Sequence, residues 1–448
     1  MNRFRPQKYC GLIAFVILCL TLMQNKIYAA KCPCDIYAGG GVPCVAAYST
    51  VRALFAAYNG PLYHVIRMSD RKTMSINSLS AGGPANAAAQ DTFLKNTTGK
   101  VDTIYDQSGN NNHLTRGTPG CTVNSPDSLS PASAAVTLFG KKVYGLYMSN
   151  GDGYRLGPKG AAGKNVPTGN KPQGLYWVVS GKRYAGSGCC WDFGNAETNN
   201  CYGSTGIMSC LYFGAMSYWG TGTGNGPWLM GDFEGGLFPG GTSASKNYST
   251  NPTITFPYLT GILKVSSTPS ENYALRYGNA QTGPLTTIYN GVAPTTWKLQ
   301  GSLLLDIGGD NSNGSGTGNF YEGALTKGYP SDTNENSVQK NIVAVYSNTT
   351  GTNWSGAKEE VSSVPFNVHY NPSIGSAVIS YTLQDTRRVS MNIIDQQGRR
   401  IATVMNGVNG AGRHEAVWNA KSIPVGVYIW KIAIDDNEKW SGKIIIGK

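Results

Sequence analysis

Gly174-Leu175-Tyr176-Trp177-Val178-Val179-Ser180 is a short apolar run ending in a small polar residue, and similar runs follow it. They stand at Thr253 to Val265, Tyr273 to Tyr277, Ser302 to Ile307 and Phe320 to Leu325, with Gly, Asn and Ser clusters between them. Short apolar or alternating segments punctuated in this way predict an all-β sandwich. Two helices are expected as braces on it. Val51, Leu54, Phe55 and Tyr58 recur at helical spacing, and Asp332 with Glu335 forms a capping-box-like start before Val338, Ile342 and Val345.

Outward from this centre, the N-terminus reads as a secretory signal peptide over residues 1–30. Arg3, Arg5 and Lys8 precede an apolar run from Tyr9 to Met23 and a small-residue exit at Ala29-Ala30. The run is too short for a spanning helix, so no membrane span is expected in the mature protein. Leu18 before Cys19 and Lys31 before Cys32 are not the small residues that a lipid-attachment signal needs. Of the 10 cysteines, Cys10 and Cys19 leave with the leader. Cys32, Cys34, Cys44, Cys121, Cys189, Cys190, Cys201 and Cys210 remain, an even set that reads as disulfides of unassigned connectivity. The only histidines, His64, His113, His369 and His414, lie away from the cysteine clusters, which argues against zinc.

The formal charge of +12 falls to +8 once Arg3, Arg5, Lys8 and Lys26 are removed, and the basic residues are scattered rather than gathered on a face, which argues against nucleic acid. Charged residues make up 14% of the chain, against about 25% on average. With 58 Gly and 26 Tyr, such a surface suits neutral polyols.

The chemistry is expected around Gly188-Cys189-Cys190-Trp191-Asp192-Phe193-Gly194-Asn195-Ala196-Glu197. Adjacent cysteines either pair with distant partners or close a strained ring on each other, a rigid apolar plate. Asp232 and Glu234 alternate at strand spacing and would face one side of a sheet, and Asp310 sits in a Gly-Gly-Asp-Asn turn that could raise an acid into a cleft.

From Asp35 to Ser347 the chain resembles the catalytic domain of glycoside hydrolase family 54, the α-L-arabinofuranosidases. The matching blocks include Cys34-Asp35-Ile36-Tyr37, Tyr58-Asn59-Gly60-Pro61-Leu62-Tyr63, Ile104-Tyr105-Asp106-Gln107-Ser108-Gly109, the Cys189-Cys190 segment, Gly226-Pro227-Trp228-Leu229-Met230-Gly231-Asp232-Phe233-Glu234 and Ile307-Gly308-Gly309-Asp310-Asn311-Ser312-Asn313. The resemblance implies a jelly-roll-like (concanavalin-like) β-sandwich and a retaining exo-α-L-arabinofuranosidase working without metal or organic cofactor. It makes Glu234 the nucleophile, Asp310 the acid/base and Asp232 a binder of sugar hydroxyls. It also sets the Cys189-Cys190 plate and Trp219 against the furanose, with backbone hydrogen bonding from Gly309. Glu322, Asp192 and Glu197 are assigned structural roles. Cys34 with Cys44 keeps the family's first disulfide. The second would need cysteines where Leu94 and Gly99 stand, and Gly235 replaces the usual Asn after the nucleophile. The remaining cysteines are additional, expected as Cys201–Cys210 and Cys32–Cys121. The substrate would be an arabinose-bearing plant polysaccharide or oligosaccharide, and the protein a monomer. A related furanosidase, a β-xylosidase and a non-catalytic lectin-like sandwich are the alternatives.

The catalytic unit is expected over 31–346, followed by a polar linker over 347–363. Over 364–448 alternating runs at Ala377 to Tyr381, Val389 to Ile394 and Gly426 to Ile432 predict a small immunoglobulin-like sandwich. With Asn371-Pro372-Ser373, Asp395-Gln396-Gln397-Gly398-Arg399, Trp418-Asn419, Pro424-Val425-Gly426-Val427-Tyr428 and the terminal Lys443-Ile444-Ile445-Ile446-Gly447-Lys448, this unit resembles the sorting domain of the bacterial type IX secretion system. That resemblance implies the export machinery as a partner and a secreted or cell-surface location.

Overall fold

The computed structural model describes residues 31–349 except 158, 160, 187 and 269, and residues 367–446 except 372–374, 384–385, 396–398, 411 and 435–437. The expected signal peptide, most of the linker and parts of the sorting-domain motifs lie outside the described residues. The chain divides into two compact units.

In the first unit an eight-stranded antiparallel sheet is built around Gln173–Ser180, flanked by Tyr258–Ser266 and Gly318–Lys327. Every residue of Gln173–Ser180 and of Tyr258–Ser266 is buried, as central strands covered on both faces must be. A ten-stranded sheet packs against it, with Asp192–Ala196 between Ser209–Gly214 and Ser302–Leu305, and Trp228–Asp232 beyond Ser209–Gly214. The two inner faces interlock through aromatic rings: Phe193 lies 6.3 Å from Trp177 and 5.7 Å from Phe320, centroid to centroid. Such offset and tilted pairs add to the area they bury. The all-β sandwich is therefore the observed architecture.

The opposite face of the eight-stranded sheet holds the helix Asp332–Tyr346. Lys264, buried in mid-strand, binds Asp332 at 2.6 Å and Glu335 at 3.1 Å, and Arg276 binds Glu335 at 2.6 Å. Its cap is Ser331, whose hydroxyl accepts the Asn334 N–H, one residue earlier than the sequence pattern suggested; Glu335 is drawn inward by the two cations instead of closing a capping box. Glu322 is structural, as expected, pairing with buried Arg52 at 2.6 Å. The expected helix over Val51 to Tyr58 does not form. Val51 and Leu54 are buried, but the segment is held by long-range bonds, Leu54 N–H to Gln107 Oε1 and Ala53 N–H to Gly83 O, so tertiary contacts override the spacing. Two short helices, Pro33–Gly39 and Ala87–Phe93, were not anticipated.

Leu94 fills the space over Gly99 where a disulfide would otherwise stand. The second unit is a sandwich of a three-stranded and a four-stranded sheet, with cores around Ile379, Met391 and Ile432, and around Trp418, Tyr428 and Ile444.

Candidate active site

Strand partners share a face, as do residues two apart along a strand. Phe193 pairs with Leu211 and Leu305, and these enter the sandwich core. Gly194 pairs with Cys210 and Cys210 with Asp232, which places Asp232, Cys210 and Asp192 together on the other face. The acids collect at strand ends: Asp192 opens Asp192–Ala196, Glu197 follows it, and Asp232 closes Trp228–Asp232.

Glu234 lies past the strand, with φ 67°, so the expected strand alternation with Asp232 is not what joins them. The chain turns there, and the Glu234 N–H donates to Asp232 Oδ1 at 3.0 Å. Gly203 N–H donates to Glu234 Oε1 at 2.8 Å. A Cβ at Gly235 would stand 2.0 Å from Thr205 Oγ1, so a side chain there would require Thr205 to shift. Asp310 does sit in a turn, with Gly308 N–H donating to Ser312 O at 2.8 Å. Its carboxylate accepts the Ser312 N–H at 2.9 Å and the Thr122 hydroxyl, and it is partly exposed. Its charge is felt by both Glu234 and Asp232. Arg155, 1% exposed, binds this turn to the neighbouring strand by donating to Gly309 O at 2.8 Å and Glu197 O at 2.7 Å. The Gly309 carbonyl is thus engaged by protein.

Cys189 and Cys190 are bonded to each other. Cys189 Sγ lies 3.6 Å from Asp232 Oδ2 and 3.8 Å from Asp192 Oδ2, and Cys190 Sγ lies 3.5 Å from Ser312 Oγ. The plate therefore adjoins Asp232 and the Asp310 turn. Although the two sulfurs and two carboxyls lie within 4.8 Å of one another, bonded sulfurs offer no thiolate, so the group does not make a cation site. Trp219 is half-buried against Gly236, two residues from Glu234.

The additional cysteines pair differently from expectation. Cys121 bonds Cys201, while Cys32 and Cys210 are buried thiols. Cys210 is buried near the start of Ser209–Gly214 among the acids, whereas Cys121 donates its N–H to Asn200 O at 2.9 Å, beside Cys201. This bond joins the segment bearing Thr122 to the one bearing Gly203, the hydrogen-bond donors to Asp310 and Glu234. Peptide mapping of unreduced protein is expected to give a Cys121–Cys201 cross-link and a Cys189-Cys190 peptide two hydrogens lighter than its reduced form. Cys32 and Cys210 should alkylate only after denaturation; burial pushes the Cys32 thiol up to about 11. A Cys201–Cys210 cross-link would overturn this pairing.

Burial dominates the electrostatics. It pushes Asp232 up to about 7 and Asp127 up to about 6, and Asp192 is held well above the usual range by burial and the neighbouring Asp232. Glu197 is pushed up to about 9 by burial and by Glu234, and Glu234 is raised by burial against the Gly203 N–H, which opposes the shift. Each group binds more protons folded than unfolded between the ordinary carboxyl value and its raised one. Stability is therefore full below that ordinary value and is lost as pH rises through the raised values. We expect the melting temperature at constant ionic strength to fall between about pH 5 and about pH 9. A rise over that interval in scanning calorimetry would contradict the assignment.

The structure brings Glu234, Asp310, Asp232, Gly309, Trp219 and the cysteine plate into one region. It adds Glu197, Asp192, Arg155, Thr122 and Gly203. Closely gathered carboxyls beside an apolar plate and an indole are equipment for nucleophilic and acid–base chemistry at a sugar.

Residues 33–347 match the family described as "Alpha-L-arabinofuranosidase B, catalytic", and residues 367–447 match "Secretion system C-terminal sorting domain". The chain belongs to the family of α-L-arabinofuranosidase B catalytic domains, glycoside hydrolase family 54. It is 48% identical over 339 residues to a probable α-L-arabinofuranosidase B of Aspergillus terreus, covering 73% of this chain and 65% of that one. It is 49% identical over 343 residues to an arabinofuranosidase/B-xylosidase of Trichoderma koningii, covering 72% of this chain and 66% of that one. It thus spans about two thirds of the length of these relatives. A crystal structure of an arabinofuranosidase complexed with arabinofuranosyl-alpha-1,2-xylobiose superposes with TM-score 0.68 at 39% identity, covering 82% of this chain and 75% of that one. The sorting-domain match indicates an exported protein.

Proposed function

We propose that the chain is a retaining exo-α-L-arabinofuranosidase that removes arabinofuranosyl side groups from arabinoxylan or arabinan. The observation that carries this reading is the gathering of Glu234 with Asp232, and of the Asp310 turn, around the Cys189–Cys190 plate, within a family-matched sandwich. Glu234 attacks the anomeric carbon while Asp310 protonates the leaving oxygen; Asp310 then takes a proton from the water that releases the sugar. Asp232 receives sugar hydroxyls, and Trp219 with the disulfide covers the C–H face of the ring and excludes water. The solved relative with an arabinofuranosyl-xylobiose supports the substrate class. The test is release of arabinose from an aryl α-L-arabinofuranoside, compared with the matching xyloside and galactofuranoside. The arabinofuranosidase/B-xylosidase relative favours a β-xylosidase as the second reading, which a dominant rate on the xyloside would establish.

For the C-terminal unit the proposal is recognition by a bacterial type IX export machinery, with delivery to the cell surface or medium. The unit has its own cores, so its removal should spare the sandwich that holds the site. Deleting 364–448 in the native host is expected to leave active enzyme in the periplasm. Normal delivery of the truncated protein would point to a spacer or sugar-binding module.

A further inference from the structure

Glu197 is 1% exposed, and neither of its carboxyl oxygens meets a hydrogen-bond donor from another described residue; its own amide is the one backbone group that favours its charge. Such a buried acid cannot remain an unpaired anion without a large desolvation cost. Arg155, the nearby cation, turns its Nη1 and Nη2 to backbone: they donate to the carbonyls of Glu197, Gly309 and Gly308, and none of its nitrogens is bonded to the Glu197 side chain. The carboxyl instead fills the space over Gly309, where a Cβ would collide with it; its Oε1 also stands 3.7 Å from where a Cβ on Gly203 would be, and the Gly203 N–H donates to Glu234 Oε1 at 2.8 Å, so the two carboxyls meet at Gly203.

Building on the reading of Glu234 as nucleophile, we infer that Glu197 is a positioning residue: a neutral carboxylic acid whose O–H donates to the Glu234 carboxylate and aims it. The proton belongs on Glu197 for a geometric reason. Glu234 is the less buried of the two and already accepts the Gly203 N–H from another segment, so its anion is solvated by protein, whereas the Glu197 oxygens meet no donor outside their own residue among the described residues. The groups whose charges act on the pair are Arg155 and Cys210 around Glu197, and Asp310, Asp232, Asp192 and Arg155 around Glu234. Burial and the Glu234 charge together push Glu197 up to about 9, in keeping with a proton that stays in place at neutral pH. That proton remains on Glu197 through both displacement steps. Glu234 alone forms and breaks the bond to the anomeric carbon, and Asp310 alone exchanges a proton with the leaving group and water. Because the same carboxyl rests on Gly309, it also fixes the spacing between the nucleophile and the Asp310 turn.

The experiment compares Glu197→Ala and Glu197→Gln in the full chain through the pH profile of kcat/KM on an aryl arabinofuranoside. Removing a donor to a carboxylate raises that carboxylate's pKa, so the acid limb in Glu197→Ala should move up by about one pH unit. Its kcat should fall on the order of 10²-fold with little change in KM. Glu197→Gln, which keeps a donor and the volume, should recover at least about tenfold of that loss. An unmoved acid limb in Glu197→Ala, or a glutamine variant as impaired as the alanine one, would overturn the proposal. If the alanine variant does not fold, wild-type minus Glu197→Gln infrared difference spectra at neutral pH decide. A protonated carboxyl stretch supports the proposal, and carboxylate bands alone refute it. Glu234→Gln is the control. If it stays active, the nucleophile reading has failed; if it is inactive while Glu197→Ala behaves as wild type, only the positioning role has failed.

Discussion

Glu234→Ala is expected to lose turnover by at least about 10⁴-fold, since it removes the atom proposed to bond the sugar. Glu234 is 8% exposed and its carboxyl is held by the Gly203 N–H on one oxygen, so its deletion leaves a small lined space rather than an open surface. Azide should enter that space and restore turnover of an activated aryl arabinofuranoside, giving the glycosyl azide of inverted configuration. Product analysis by NMR checks the stereochemistry. Full activity in the variant, or rescue with retained configuration, would remove Glu234 from the nucleophile's role.

Asp310→Ala is expected to separate substrates by their leaving groups. General acid catalysis is worth about 10² to 10⁴-fold where the leaving oxygen needs a proton, and much less where the leaving group is already a good one. Hydrolysis of natural polymer should therefore fall by about that factor, while a nitrophenyl glycoside loses far less in the glycosylation step. The bonds from Ser312 N–H and the Thr122 hydroxyl hold the carboxylate, and the turn itself is closed by backbone bonds and anchored by Arg155, so the loop should survive the substitution. Equal losses on both substrates would argue that Asp310 binds rather than protonates.

Both experiments rest on residues that the sequence had already marked. Glu234 and Asp310 stand in family-like blocks, and the residues around them carry few other acids. Glu197 was legible only as a structural acid. It lies five positions from Asp192 in the same block, and nothing in that spacing says that its carboxyl ends against Gly309 and beside Glu234. The signal that could have found it is the coincidence of an acid with the end of a strand whose first residue, Asp192, is also an acid. Thr122 and Gly203 had no signal at all. Thr122 meets Asp310 across 188 positions, and Gly203 contributes only a backbone N–H, which every residue but proline possesses.

The strands were readable because burial imposes a local pattern: Gln173–Ser180, Asn272–Asn279 and Gly318–Lys327 carry apolar runs that no other element would bury as well. The helix Asp332–Tyr346 was readable for the same reason. The Val51 to Tyr58 segment shows the limit, because its helical spacing yields to bonds from Gln107 and Gly83 that lie far along the chain. Cysteine pairing lay beyond the same limit. The sequence determined that an even set of thiols was available and that two were adjacent; only the folded chain decided that Cys121 meets Cys201 and that Cys210 is buried among the acids. Residue types and local periods are written along the chain, and they determined the sandwich and the candidate carboxylates. Protonation, donor geometry and disulfide partners depend on groups brought together across many positions, and these the tertiary structure alone decided.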